Sequence, residues 1–203
     1  MLLVVDGMSG ADRKKAEVVA VNPDLERVLA AVSYVIFTAQ RKSKKPTQYD
    51  VVKSLFLADR THLNKYGRLV SSDRYVAMKH GPVPSTAYNV LKNDGPTLKR
   101  YELDHLPWNS EAGDGGKIYY SDPDISSVDE VLSPSDKVAI EDAVSTVLSL
   151  SFGQIRRLTH DDPAYIDAWE DESERKQFPM SLGLLFESPN FERARELSDI
   201  SKL

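Results

Sequence analysis

KSLFLADRTHLNKYGRLVSSDRYVAMKHGPVPSTAY, residues 53–88, is the stretch whose reading decides the fold. Its first part has helical period. At about 100° per residue, Val51, Val52, Leu55, Ala58, Leu63 and Tyr66 gather on one side of the wheel, and Lys53, Arg60, Thr61 and Lys65 fall opposite. Asp59 and His62 sit inside the apolar stripe. A carboxylate there must find hydrogen bonds, because burying it unpaired is costly. Two readings stand open. Either the pair satisfies itself or nearby backbone amides, or both residues line a cleft that holds a partner or ligand. Thr47 with Asp50 makes a box-like start, and Gly67 stands where a helix stops, so the stretch predicts a helix over 47–66. Leu57 points away from the main stripe and predicts a second core contact.

The second part predicts an extended segment, Arg74–Lys79, with Tyr75 and Ala77 on one face and Val76 and Met78 on the other. His80-Gly81-Pro82-Val83-Pro84 then reads as a rigid turn, since two prolines fix φ and bias their neighbours away from helix. Pro84 can open a helix reaching about Lys92, and its free N–H groups suit a carboxylate such as Asp59. His80 has no Ser, Cys or acidic partner at a recognisable catalytic spacing.

Working outward, Asn22-Pro23 opens a helix over 23–40 whose run from Val28 to Ala39 is apolar on nearly every side. Such a helix is buried all round and is expected to be the central one. A basic run follows: Arg41, Lys42, Lys44 and Lys45. It complements the helix dipole or meets a phosphate or acidic partner. Residues 1–21 lack a period and read as an N-terminal arm, leaving 22–203 as a single domain with a C-terminal helical extension. Residues 97–116 read as irregular, with Gly113–Lys117 a loop. Lys117–Ser121 reads as a strand that pairs with Arg74–Lys79 in a small two-stranded wing. Further helices are expected from Ser133-Pro134, over Phe152–Thr159, over Pro163–Glu170 and within Ser181–Leu197. The last of these packs on the core or on a second copy of the chain. The fold class is therefore mainly α (α+β): a compact helical domain with a buried central helix and a small two-stranded β element.

The 203 residues suffice for one sizeable core. A surplus of 31 acidic over 26 basic side chains argues against wholesale nucleic-acid binding, though not against a local basic patch. With no cysteine there is no disulfide, thiol catalysis or thiolate metal site, which suits a cytoplasmic location. No apolar run nears the roughly 20 residues that span a membrane. Met1–Val5 is too brief for a signal-peptide core. The histidines at 62, 80, 105 and 160 make no metal-ligand spacing, and nucleophile-elbow, dinucleotide and phosphate-loop motifs are missing. No metal, cofactor or catalytic residue is expected, and the chain does not read as an enzyme.

The motif order LFLADRTHLNKYGR, DRYVAMK, GPV and a downstream Tyr88 resembles the SocA-like antitoxin domain, also called the Panacea domain. The matching residues include Lys53, Asp59, His62, Tyr66, Gly67, Asp73, Tyr75, Ala77, Gly81, Pro82, Val83 and Tyr88. Leu158-Thr159-His160 and Trp169 continue the likeness, which covers about residues 25–170. Where the family often has an aromatic after the Ala and a Tyr in its LLY step, this chain has Lys79 and Leu57. The resemblance implies an antitoxin that binds and neutralises a cognate protein toxin, possible delivery of that toxin to a ClpXP-type protease, and a bacterial source. Candidate toxin contacts are Asp59, His62, Tyr66, Tyr75, His80, Gly81, Pro82, Val83 and Tyr88, because amphipathic aromatics often anchor interfaces. The acidic run Asp161–Glu174 is a solvated face or a surface for a basic toxin. The alternative is a winged-helix-like DNA-binding regulator using Arg41, Lys42, Lys44 and Lys45.

Overall fold

The computed structural model describes residues 15–114, 116–121, 126–171 and 173–203. Helix α1 (Leu25–Arg41) is capped by Asp24, whose carboxylate accepts from Arg27 N–H; the cap therefore falls two residues beyond the expected Asn22. From Val28 to Ala39 every side chain but Leu29 and Phe37 is buried, as an all-round apolar run requires. Helix α2 (Gln48–Tyr66) opens with the Thr47–Asp50 capping box. It closes on Gly67, which adopts φ +74° and donates its N–H to Leu63 O. A glycine enters that left-handed conformation at no steric cost.

Helix α2 shares the central position with α1, because it is the common wall of two hydrophobic clusters. Val51, Val52, Leu55 and Ala58 face the first, which α1 and the later helices complete. Phe56 and Leu63 face the second, with Tyr75, Tyr165, Phe178 and Leu185. Leu57 packs against both, the second contact its position on the wheel implied. Lys53, by contrast, is buried rather than on the polar side. The wheel cannot show that both faces of α2 are covered.

Strand β1 (Tyr75–Met78) pairs antiparallel with β2 (Gly81–Pro84), Met78 opposite Gly81 across the two-residue loop Lys79-His80. The GPVP segment is thus a strand as well as the lead into helix α3 (Ser85–Leu91). Its prolines are tolerated because β2 is an edge strand. Helix α4 (Gly95–Arg100), capped by Asp94, precedes a separate hairpin of β3 (Trp108–Gly113) and β4 (Gly116–Ser121). Two expectations are corrected here. Residues 97–116 are not irregular, since Gly95-Pro96 starts a helix as well as ending one. The segment 117–121 pairs with 108–113 and not with 74–79; strand pairing is non-local, and the wing was joined from the wrong halves.

Helix α5 (Ser126–Val131) leads to α6 (Pro134–Ser149), which carries the expected Ser133–Asp136 capping box and packs on both α1 and α2. Helices α7 (Phe152–His160) and α8 (Pro163–Ala168) follow. Strand β5 (Phe178–Pro179) then adds to the free side of β1, giving the order β2-β1-β5. A short 3-10 turn, Leu182–Leu184, and helix α9 (Phe191–Ile200) finish the chain. The described part of the N-terminal arm is stitched down. Leu182 N–H donates to Val19 O at 2.8 Å, Ser181 Oγ to Glu17 O at 2.6 Å, and Val19 and Val21 are buried. Residues 1–14 of the arm, with Arg13 and Lys14, lie outside the described residues.

Candidate functional site

The two polar residues in the α2 stripe are both 1% exposed, and they do not serve each other. Asp59 accepts from Ser71 N–H at 2.8 Å, from the Ser71 hydroxyl and from Tyr75 Oη at 2.7 Å. It pins the loop after α2 to the start of β1. Burial pushes its carboxyl above the usual range, against the pull of those donors. The N–H groups at the start of α3 go to a different carboxylate: Asp73 accepts from Thr86 N–H at 3.1 Å and Ala87 N–H at 2.8 Å. Burial lifts Asp73 to about 6. The role foreseen for Asp59 at that helix therefore belongs to Asp73, which lies two residues before the strand and reaches the helix start.

His62 turns the other way along α2. Its Nδ1 donates to Arg68 O at 2.9 Å. Its Nε2 lies 3.1 Å from Ser135 Oγ and 3.3 Å from Asp136 Oδ1. Asp136 also meets Arg68 at 2.8 Å and Arg27 at 3.1 Å, and the first-turn cap of α6 is thereby locked to both core helices. The Tyr66 ring lies tilted against His62, with ring centroids 4.6 Å apart, and is half exposed.

A cleft of about 660 Å³ opens between the first turns of α2, the β1–β2 hairpin and the chain after α8. Tyr49, Val52, Met78, Val83, Tyr88 and Trp169 supply its apolar walls. Phe152, which is 52% exposed, stands beside it, with its ring 4.7 Å from Tyr49 and 5.6 Å from His80. Lys53 also lines the cleft, and its Nζ donates to Pro82 O at 2.7 Å. Burial brings this ammonium down to about 7. Near it, burial and then Arg156, Lys53 and His80 hold His160 down to about 4. His80 is lowered as well, by burial and then by Lys79, Arg156 and Lys53. A β-carbon at Gly81 would come within 2.9 Å of Lys53 Nζ, 2.7 Å of Thr159 Oγ1 and 3.4 Å of His160 Cδ2. With φ +102° besides, this corner requires glycine.

The structure thus divides the nine residues singled out in the sequence. His80, Val83 and Tyr88 line the cleft, with Gly81 and Pro82 at its base against Lys53. Asp59, His62 and Tyr75 are buried supports. Tyr66 lies 13 residues beyond Lys53, about 20 Å along the helix by the 1.5 Å rise. Sequence reasoning passed over Lys53, Tyr49 and Phe152. The Lys53 position in the quoted motif was the one available signal. Of the acidic run, Asp162 is buried and pairs with Arg60 at 2.5 Å, Asp167 accepts from Ala16 N–H, and Asp171 accepts from Trp169 Nε1. Asp162 is thus structural, while Asp161, Glu170, Asp171 and Glu174 remain exposed. Among the described residues no group of His, Asp and Glu is placed to hold a metal ion, and no helix is long and apolar enough to cross a membrane.

Helices around a shared α2, a proline-stiffened edge strand and an apolar cleft with basic groups at its base make up a mainly helical α+β domain. The family model "Antitoxin SocA-like, Panacea domain" matches residues 51–166, more than half of the chain, and the chain belongs to that family. The match runs from the first turn of α2 through the β1–β2 hairpin, α6 and α7, and takes in Val52, Lys53, Met78, His80, Val83 and Tyr88 of the cleft. No curated protein and no solved structure matches the chain significantly. Membership implies, in general terms, a toxin partner and a binding role rather than a catalytic one.

Proposed function

We propose that this chain neutralises a cognate protein toxin by binding it directly, and that the cleft beside Phe152 is the docking face. One observation carries the reading. His80, which is exposed, and half-buried Tyr88 line an apolar concavity, and the exposed ring of Phe152 stands beside it. Aromatic anchors set in a concave apolar site are the usual centre of a protein interface. Asp59, His62 and Tyr75 act through the scaffold that holds this face. Delivery of the captured toxin to a ClpXP-type protease in a bacterial cytoplasm needs a second face, and the exposed ring of Tyr66 on the far part of α2 is free for it.

The test is co-expression with the toxic product of a neighbouring gene, followed by capture of one protein with the other. Wild type rescues growth. Phe152→Ala, at an exposed ring, keeps its melting temperature and weakens capture at least tenfold, about 1.4 kcal/mol or more. Tyr66→Ala captures normally. Wild-type capture by every stable cleft variant would remove the cleft from the interface.

A second reading, DNA binding, draws on the β3–β4 hairpin beside the basic run, where Tyr119 N–H donates to Pro46 O. Lys45 is already paired with Glu111 at 2.8 Å and Arg41 lies over the Phe37 ring, which leaves Lys42 and Lys44 as the free cations of the run among the described residues. A gel-shift titration at several salt concentrations separates the readings, because phosphate contacts impose a steep salt slope.

A further inference from the structure

The cleft's base is chemically unlike its walls. Lys53 is 1% exposed, and among the described residues its ammonium meets one hydrogen-bond acceptor, Pro82 O at 2.7 Å. An ammonium has three donors, so two remain. No carboxylate among the described residues pairs with it; Asp171 and Glu174 also line the cleft, both exposed, and Asp171 accepts from the indole N–H of Trp169 at 2.7 Å. Two further polar atoms here are buried without a partner, Tyr49 Oη and His160 Nε2. The Tyr49 ring lies under the same ammonium, 5.3 Å from Nζ to centroid. Arg156 and His80 add to the basic character of the corner. A buried cation without a counter-charge, flanked by unused donors and opening on an apolar cleft, is complementary to an anion carried on an apolar group.

We propose that the segment of the partner entering this cleft presents a carboxylate, from an acidic side chain or a chain terminus, to the Lys53 ammonium, with the Tyr49 hydroxyl as second donor. This rests on the reading of the cleft as the docking face. The donor set favours a carboxylate over a phosphate. Phosphate sites draw on guanidinium forks or several backbone N–H groups, whereas one ammonium and a phenol match two carboxylate oxygens. The walls set by Val83, Met78 and Trp169 favour an apolar or aromatic residue beside that carboxylate.

The full chain, labelled with 13C-lysine, tests this at fixed pH 7. The Lys53 Cε resonance is assigned by its disappearance in Lys53→Met. Three probes are titrated: N-acetylphenylalanine, its amide, and inorganic phosphate. The expected result is a saturable shift of Lys53 with N-acetylphenylalanine, at least tenfold tighter than with the amide or with phosphate. No shift, an equal response to the amide, or a stronger response to phosphate overturns the proposal. Growth rescue by the wild-type chain with no carboxylate response sinks this inference while the docking reading survives. A clear carboxylate response in a chain whose stable cleft variants all capture the partner normally sinks the docking reading, and with it the partner as source of the carboxylate.

Discussion

Asp59 shows how one buried side chain can be indispensable without touching a partner. It collects three donors from Ser71 and Tyr75. Asp59→Ala leaves the Tyr75 hydroxyl and Ser71 N–H buried and unpaired, which costs about 3–5 kcal/mol. That is roughly 10 °C in Tm for a chain of this size. Tyr75→Phe removes one donor and leaves the others, and costs about 1–2 kcal/mol. A calorimetric scan of both variants checks the order. Equal losses would mean that Tyr75 carries the whole cluster. Lys53 gives a second prediction, through pH. Its pKa is near 10.5 unfolded and about 7 folded, so between those values the unfolded chain binds the extra proton. Stability from this residue rises as pH climbs from 7 towards 10 and is least at or below 7. Over pH 7–9 His160, held near 4, keeps a fixed charge, and His80, lowered from 6.5 by burial and then by Lys79, titrates beneath the window. Wild type should therefore gain on Lys53→Met by a few kcal/mol between pH 7 and pH 9 in denaturant melts. Parallel pH profiles for the two proteins would show that Lys53 keeps its ordinary proton affinity. The burial of Asp59 was legible in the sequence, because an acid inside an apolar stripe has nowhere else to go. That of Lys53 was not, because Gly81 and Pro82 close over it only after the hairpin has folded onto α2.

At the scale of elements, the local signals were readable and the pairings were not. Capping boxes at Thr47–Asp50 and Ser133–Asp136 and the stop at Gly67 are written in consecutive residues, and each stands where it was expected. The second partner of β1 is a two-residue strand at Phe178–Pro179, a hundred positions away, which has no period to detect. Gly67 and Gly81 separate the two kinds of constraint. Both have positive φ, but a β-carbon at Gly67 would meet only Arg193 Nη2 at 3.8 Å, whereas at Gly81 it meets Thr159 Oγ1 at 2.7 Å and Lys53 Nζ at 2.9 Å. Gly67→Ala should cost about 1 kcal/mol, the left-handed penalty alone. Gly81→Ala should cost about 2–4 kcal/mol, since strain and displacement of β2 add. Melting curves decide it, and equal losses would mean that the β1–β2 hairpin yields freely.

For the whole molecule, the two clusters on either side of α2 raise the question of whether they unfold together. The second is assembled from distant pieces: residues 15–21, the β1–β5 pair, the 3-10 turn and α9. Val19 closes it, 5% exposed, with its carbonyl accepting from Leu182 N–H and its own N–H donating to Ser181 Oγ at 3.2 Å. The same segment supports the chain after α8, since Lys15 Nζ donates to Ala168 O at 2.9 Å and pairs with Glu170. Val19→Asp puts a carboxylate into this apolar seam and costs about 3 kcal/mol or more. If the clusters are separate cooperative units, hydrogen exchange in the variant quickens at Met180 and Leu182 while the interior amides of α1 keep their protection. Trp169 is tied to Phe178 by an edge contact at 5.5 Å, so loosening of the second cluster also slackens a wall of the cleft. Partner capture should then weaken in step with exchange at Met180. A uniform rise across α1 and β5 would instead show that α2 transmits the loss and that the molecule opens as one.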